Sequence, residues 1–273
     1  MKFLLLSPMV LFSMSVFGSA LAQDFKVIAI NGAPGHTMGA DLFSSAGSET
    51  VKKYIPDGGA PASMSSLVLF AVEDAVLIDT GAGGTAWFNK LTELGVKPEN
   101  VKLILLTHFH GDHIGGLFRG DARRFPHATV LASTLECDSQ KSAFEKIKVA
   151  YGNDLKKFNF DDEVFANSLI KVKALDAVGH TLGHTAFLIE SKQKDDDKFL
   201  IVGDLLHAAV LQFPVPEACA SFDANREKAV ASRKRLLDFA AQEKIHNGGM
   251  HLPPPSIGTV KKVDKGYAFE PIK

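Results

Sequence analysis

Three histidines and an aspartate, His108, His110, Asp112 and His113, fall together directly after the apolar run Val101 to Leu106. Imidazole nitrogens and a carboxylate oxygen are the donor set of zinc or of non-haem iron, and suit copper(I) less well. The apolar run is short for a helix and reads as a buried strand, while Gly111, Gly115 and Gly116 punctuate the segment after it. The four side chains therefore sit on a loop at a strand's C-terminal end, where α/β proteins keep their chemistry. Any one histidine is as well explained by packing. Four potential ligands beside a buried strand are not, because their polar groups would go unsatisfied unless something bound them. His108 and His110 can point the same way from an extended loop, whereas Asp112 and His113 are adjacent and diverge, so the segment can serve two neighbouring ions.

Apolar runs and alternation predict the elements that carry this loop: strands near 25–31, 66–72 and 75–79, a helix around 85–95, and the metal-bearing strand at 102–106. A strand follows at Thr129 to Ala132, and Ser133 is expected to cap a helix running to about Tyr151. Further strands are expected near 169–175, 184–190 and 198–203. Gln193 to Lys198 reads as a charged hairpin tip, a solvated turn rather than an acidic metal site. Asn225 to Lys244 mixes charged and apolar residues at helical spacing and is expected to be a surface helix. Residues 32–66 are rich in Gly, Ser, Ala and Pro and hold few large apolar side chains. A structureless stretch of that length reads as a mobile flap near the metals, with an ordinary N-terminal excursion as the alternative.

Thr107-His-Phe-His-Gly-Asp-His113 resembles the signature of the metallo-β-lactamase superfamily, and four further motifs agree in chain order. They are Ala75-Val-Leu-Ile-Asp79-Thr-Gly81, Val178-Gly-His180-Thr-Leu-Gly-His184-Thr, Phe199-Leu-Ile-Val-Gly-Asp204 and Gly249-Met-His251-Leu-Pro. The resemblance implies an α/β fold of the αββα sandwich type, mixed β-sheets flanked by helices, with two divalent metal ions. One ion would take His108, His110 and His180, the second Asp112, His113 and His251, and Asp204 would bridge both. Asp79 would stand behind the ligands. Of the two histidines in Gly-His-Thr-Leu-Gly-His, His180 occupies the superfamily's Gly-His-Thr and is the implied ligand, with His184 supporting it from behind. His36 lies in a similar Gly35-His-Thr, but outside the expected order, and is given no ligand role.

Within the superfamily the chain is most similar to the methyl parathion hydrolase group and its lactonase relatives. Gly203-Asp-Leu-Leu-His-Ala-Ala-Val-Leu-Gln-Phe213, Phe222-Asp-Ala-Asn, Val230-Ala-Ser-Arg-Lys-Arg, His251-Leu-Pro-Pro-Pro-Ser-Ile-Gly258 and Lys265-Gly-Tyr-Ala-Phe269 carry that likeness. His207 departs from the aliphatic residue expected there. The resemblance implies a dinuclear hydrolase of ester, lactone or phosphotriester bonds, in which a metal-bridging hydroxide attacks and Asp112 orients it and passes a proton to the leaving group. Zn2+ is the first candidate ion, and Fe, Mn or Co fit the same donors. Alternatives are an iron-dependent oxidoreductase of the sulfur dioxygenase type, a β-lactamase, and a non-catalytic metal-binding module. Asp204 argues against the β-lactamase, since the superfamily's true β-lactamases lack it, and the full ligand set argues against the non-catalytic module. Phe109, Phe118 and Phe213, with Trp87, could line an apolar substrate pocket, but aromatic side chains are more often core packing.

The near balance of 30 basic against 31 acidic residues offers no footprint for nucleic acid or an anionic membrane, so a small-molecule substrate is the expected partner. Lys2, the apolar run Phe3 to Phe17 and Ser19-Ala-Leu-Ala22 read as a secretory signal peptide over residues 1–22, cleaved after Ala22, with an uncleaved anchor as the alternative. Residues 23–273 are then expected to form one domain, periplasmic or secreted and without stable membrane association. The oligomeric state is open, a homodimer included. Cys137 and Cys219 either pair in an oxidising compartment or stay as buried thiols.

Overall fold

The computed structural model describes residues 19–22, 24–71 and 74–272, so most of the expected leader lies outside the described residues. Two seven-stranded sheets follow one another along the chain. The first holds β1 (Ser19–Leu21), β2 (Lys26–Asn31), β3 (Ser65–Ala71), β4 (Asp74–Ile78), β5 (Leu103–Leu105), β6 (Thr129–Ser133) and β7 (Leu155–Phe158), neighbours in that order. The second holds β8 (Glu163–Ala166), β9 (Ile170–Asp176), β10 (Thr185–Ser191), β11 (Lys198–Ile201), β12 (His246–Gly248), β13 (Ile257–Lys262) and β14 (Tyr267–Pro271), also in chain order. The helices are α1 (Ser48–Tyr54), α2 (Thr85–Glu93), α3 (Gly111–Ile114), α4 (Thr134–Ser139), α5 (Lys141–Tyr151), α6 (Ala209–Gln212) and α7 (Arg226–Glu243). Most neighbouring strands are antiparallel, but β4–β5, β5–β6, β6–β7 and β11–β12 are parallel. A parallel step needs a long crossover. Each of these four contains at least one of the helices.

The layers follow from strands that are apolar on both sides, as expected of sheets covered on both faces. Leu67, Leu69, Val76, Ile78 and Leu105 of the first sheet meet Val172, Ala174, Phe187, Ile189 and Ile201 of the second in one buried cluster. The opposite face of the first sheet, with Val68, Leu77, Ile104 and Val130, packs on Trp87, Leu91, Ile147 and Tyr151 of α2 and α5. The opposite face of the second, with Leu188, Leu200 and Val260, packs on Leu236, Leu237 and Ala240 of α7. The result is an αββα sandwich. α7 buries Ala229, Ser232, Arg233, Leu236, Leu237 and Ala240, a single stripe at helical spacing.

Two expectations are corrected. The helix expected from Ser133 to Tyr151 is two helices, because Ser139 Oγ bonds back to the Glu136 carbonyl at 3.3 Å and Gln140 leaves helical geometry. Residues 32–66 are a packed unit rather than a structureless flap. Thr37–Gly39 pairs with Gly59–Pro61, α1 lies between, and Met38, Phe43, Ile55, Ala60 and Ala62 pack on Ala208, Leu211, Ala218 and Ala220. Alanines make much of this contact beside Met38, Phe43, Ile55 and Leu211, so the segment's composition resembles that of a loop. Cys137 and Cys219 are both buried and unpaired. Among the described residues no helix is long and apolar enough to cross a membrane.

Candidate metal centre

The ends of β4, β5, β11 and β12, all partners in parallel pairs, deliver Asp79, His108, Asp204 and His251 respectively, and the β9–β10 connection delivers His180. Side chains at strand C-termini thus converge on one edge of the sandwich, the place such folds reserve for ligands. His180 Nε2 lies 3.2 Å from His108 Nε2, 2.9 Å from His110 Nδ1 and 3.4 Å from Asp204 Oδ2. Beside this group, His251 Nε2 lies 3.4 Å from Asp112 Oδ2 and 3.1 Å from Asp204 Oδ2, and His113 Nε2 lies 3.2 Å from Asp204 Oδ1. A tetrahedral ion about 2.0–2.1 Å from each donor holds its ligand atoms about 3.3 Å apart. The observed spacings bracket that value. Moreover, His113 Nε2 and Asp204 Oδ1 are buried and have only one another, as an ion pair at 3.2 Å outside good hydrogen-bond geometry. Buried polar atoms so poorly satisfied leave room for a further partner between them. The residues therefore fit a pair of metal ions, with Asp204 between the two groups.

The far nitrogens of four of these imidazoles are held by oxygens, the arrangement that fixes tautomer and orientation in metal-binding histidines. His113 Nδ1 meets Asp79 Oδ2 at 2.7 Å, His180 Nδ1 meets Asp223 Oδ1 at 3.1 Å, and His251 Nδ1 meets the Ser63 carbonyl at 2.8 Å. His108 Nδ1 lies 3.0 Å from Thr107 Oγ1, which donates to Asp79 Oδ2 at 2.7 Å. Asp79 also accepts the Thr107 N–H, so one carboxylate steadies a histidine of each group.

His184, fully buried, has Nδ1 on the Ala177 carbonyl at 2.8 Å, and its Nε2 accepts the Asp204 N–H at 2.9 Å. It stands behind Asp204 rather than behind His180. Gly203 makes this possible: its φ of +56° is in the left-handed region, and a Cβ there would collide with His184 Nε2.

Electrostatics divide the two groups. Burial pushes His108 well below its ordinary value and His110 to about 4, so both imidazoles are neutral and ready to ligate. In the other group burial opposes protonation, but Asp204 and Asp79 raise His113 well above its ordinary value, and Asp204 and Asp112 raise His251 to about 10. Burial likewise opposes ionisation of the carboxylates. Even so, His251 and His113 bring Asp112 down to about 2, and His113 and His251 hold Asp204 well below the usual range. Protons here hold positive charge that a bound cation would supply instead.

Of the two readings of the aromatic side chains, core packing holds and pocket lining does not. Phe109, Phe118 and Trp87 are core residues under the first sheet's helices, and Phe213 stacks on Phe269 in the core under α7, because each belongs to an apolar layer of the sandwich. The aromatic residue at the site is Phe222, 39 % exposed and edge-on to His180 and His207. His207 faces the centre: it is buried, stacks on His251, and places Nε2 3.2 Å from Asp204 Oδ2. Asp223 and Ser63 were not among the expected site residues. Asp223 lies in Phe222-Asp-Ala-Asn, which carries a family likeness without giving the aspartate a role, and a main-chain carbonyl has no spacing signal.

Residues 59–241 match the model of the Metallo-beta-lactamase superfamily, more than half of the chain. The atrochrysone carboxyl ACP thioesterase of Pseudocercospora fijiensis is 28% identical over 120 residues, which are 44% of this chain and 31% of that protein. A hydroxyacylglutathione hydrolase of Prochlorococcus marinus is 33% identical over 106 residues, 39% of this chain and 36% of that protein. The matches thus span about a third of these relatives' length. Among solved structures, the hydrolase AbOPH of the beta lactamase superfamily has a TM-score of 0.82 and 25% identity, covering 94% of this chain and 97% of its own. AidC, a dizinc quorum-quenching lactonase in complex with a homoserine product, has the same TM-score of 0.82 and the same coverage, 94% and 97%, at 23% identity. With its layered fold, its converging histidines and aspartates and this match, the chain belongs to the metallo-beta-lactamase superfamily.

Proposed function

We propose that the protein is a metal-dependent hydrolase of ester, lactone or phosphotriester bonds. Two divalent ions, Zn2+ first among the candidates, would be held by His108, His110 and His180 on one side, Asp112, His113 and His251 on the other, and Asp204 between them. The convergence of these side chains to ligand spacing, with buried His113 Nε2 and Asp204 Oδ1 outside hydrogen-bond geometry, carries the reading. Superfamily membership supports it, as do the hydrolases and the dizinc lactonase among the similar proteins.

When bound, two such ions would supply Lewis acidity toward a carbonyl or phosphoryl oxygen and would make water acidic enough to attack near neutral pH. The protein's own residues do the rest. Asp112 is ionised and, at 24 % exposure, far more open to the mouth of the site than Asp204 at 3 %, which suits it to orient the attacking water and hand a proton to the leaving group. Asp204 sets the spacing of the two groups. Phe222 offers an apolar wall beside His180 to the part of the substrate that does not react. Residues 1–22 are proposed to direct the chain to the periplasm or beyond, and a mature N-terminus at Gln23 by mass spectrometry would support this.

The test is metal content per chain after purification without chelator, beside hydrolysis of an aryl ester, an acyl-homoserine lactone, a phosphotriester and a β-lactam. About two zinc-like ions with turnover of one of the first three is the expected result. A single iron with oxygen consumption and no hydrolysis would overturn the proposal in favour of an oxidoreductase. Asp204→Ala is expected to lower metal content and abolish turnover together.

A further inference from the structure

Glu136, in the first turn of α4, is 1 % exposed and forms no ion pair with a cationic side chain among the described residues. All three of its side-chain partners are uncharged donors. Oε1 accepts the Phe109 N–H at 2.9 Å, and Oε2 accepts the Thr181 hydroxyl at 2.6 Å and the Gly183 N–H at 3.1 Å. Burial raises the Glu136 carboxyl, while the Thr181 hydroxyl, the Phe109 and Gly183 N–H groups and nearby His180 lower it; as a carboxylate it accepts from all three donors at once.

The donors have a common address. Phe109 lies between His108 and His110, and Thr181 follows His180, so each member of the first histidine group is one residue from a Glu136 contact. None of these contacts adjoins Asp112, His113 or His251. Ser133 reinforces the junction: its Oγ accepts the Glu136 N–H at 3.1 Å and donates to the Gly183 carbonyl at 2.7 Å. Gly183 is required there, since a Cβ would overlap the backbone of Glu136. Two loops from different sheets are thereby fastened through one buried anion.

An uncompensated buried carboxylate is costly, and a dication on the neighbouring histidines offsets that cost. We propose that Glu136 is a positioning residue for the His108, His110 and His180 group, and that its charge raises the affinity of that group, and not of the other, for a divalent cation. The inference rests on the metal-dependent reading above.

The experiment titrates Co2+ into the chelator-stripped full-length chain against a chromogenic chelator. His110→Ala and His251→Ala assign the two binding steps to the two groups. Glu136→Gln, nearly isosteric and neutral, is expected to weaken the His110-dependent step by about 10- to 100-fold and to leave the His251-dependent step unchanged. Thr181→Val removes one donor but keeps the charge, so a smaller loss on the same step is expected. Wild-type affinity at both steps in Glu136→Gln overturns the proposal. Equal weakening of both steps with a lower melting temperature also overturns it, since that is the signature of a merely structural role. Should Glu136→Gln fail to fold, Thr181→Val decides: unchanged binding at the His110-dependent step counts against the proposal. If the wild-type chain binds no ion, the metal-dependent reading falls before Glu136 is reached.

Discussion

Asp79 shows how much one side chain can organise. It is fully buried, and it receives His113 directly and His108 through Thr107, so its removal leaves donors of both groups without a partner. Asp79→Ala is expected to weaken metal binding by about 10- to 100-fold, measured by chelator competition. His180 and His184 separate ligation from support. His180→Ala is expected to lose an ion and nearly all turnover. His184→Ala leaves the Asp204 N–H without its acceptor, so it is expected to cost about 1–3 kcal/mol of stability while keeping most of the metal. Metal analysis beside urea unfolding distinguishes the two, and the reverse order would remove His180 from the ligand set. At this scale the sequence was most readable where donors cluster, as in His108-Phe-His-Gly-Asp-His113. Asp223 and Glu136 were not readable, because each reaches a ligand loop only through the folded chain.

Elements were legible where burial is two-sided. β3 is buried along nearly its whole length and β10 and β11 are mostly apolar, so they stand out as runs, while β9 shows instead by alternation, Ile170, Val172 and Ala174 against Lys171 and Lys173. β7 carries exposed Lys156 and Lys157, and β12 is His-Asn-Gly, which shows no apolar pattern at all. Those strands exist because neighbours offer them an edge to pair with, information that periodicity lacks. The turn after β11 is a second kind of element, fixed by backbone conformation. Gly203→Ala is expected to cost about 1–3 kcal/mol, since it adds strain at positive φ and presses on His184. Chemical denaturation would report the loss, and a neutral result would show that the turn can relax without moving Asp204.

Over the whole molecule, the proposed ligands come from both halves of the sandwich: His108, His110, Asp112 and His113 follow β5, while His180, Asp204 and His251 belong to the second sheet's loops. Bound ions would therefore clamp one edge of the two-sheet stack. An ion present at 100 times its dissociation constant adds about 2.7 kcal/mol, so dialysis against a chelator is expected to lower the melting temperature reversibly. Hydrogen exchange should then rise in the loops around His108, His180 and His251 while β9 and β10 stay protected. Phe187→Ala, at the centre of the inter-sheet core, is expected to cost about 3–5 kcal/mol by denaturant unfolding, with the metal stoichiometry unchanged. The layered architecture was legible as a whole because five motifs in order imply it. The packed unit at 32–66 was not, since its partners Ala208 to Ala220 come from far along the chain. That distance matters during synthesis. The carbonyl of Ser63 receives His251 from 188 residues away, and at about 5–20 residues per second the acceptor waits roughly 10–40 s for its histidine to be made. Until then the early ligands are already out and the centre is incomplete, so capture of a full complement of ions must wait until His251 itself has been made.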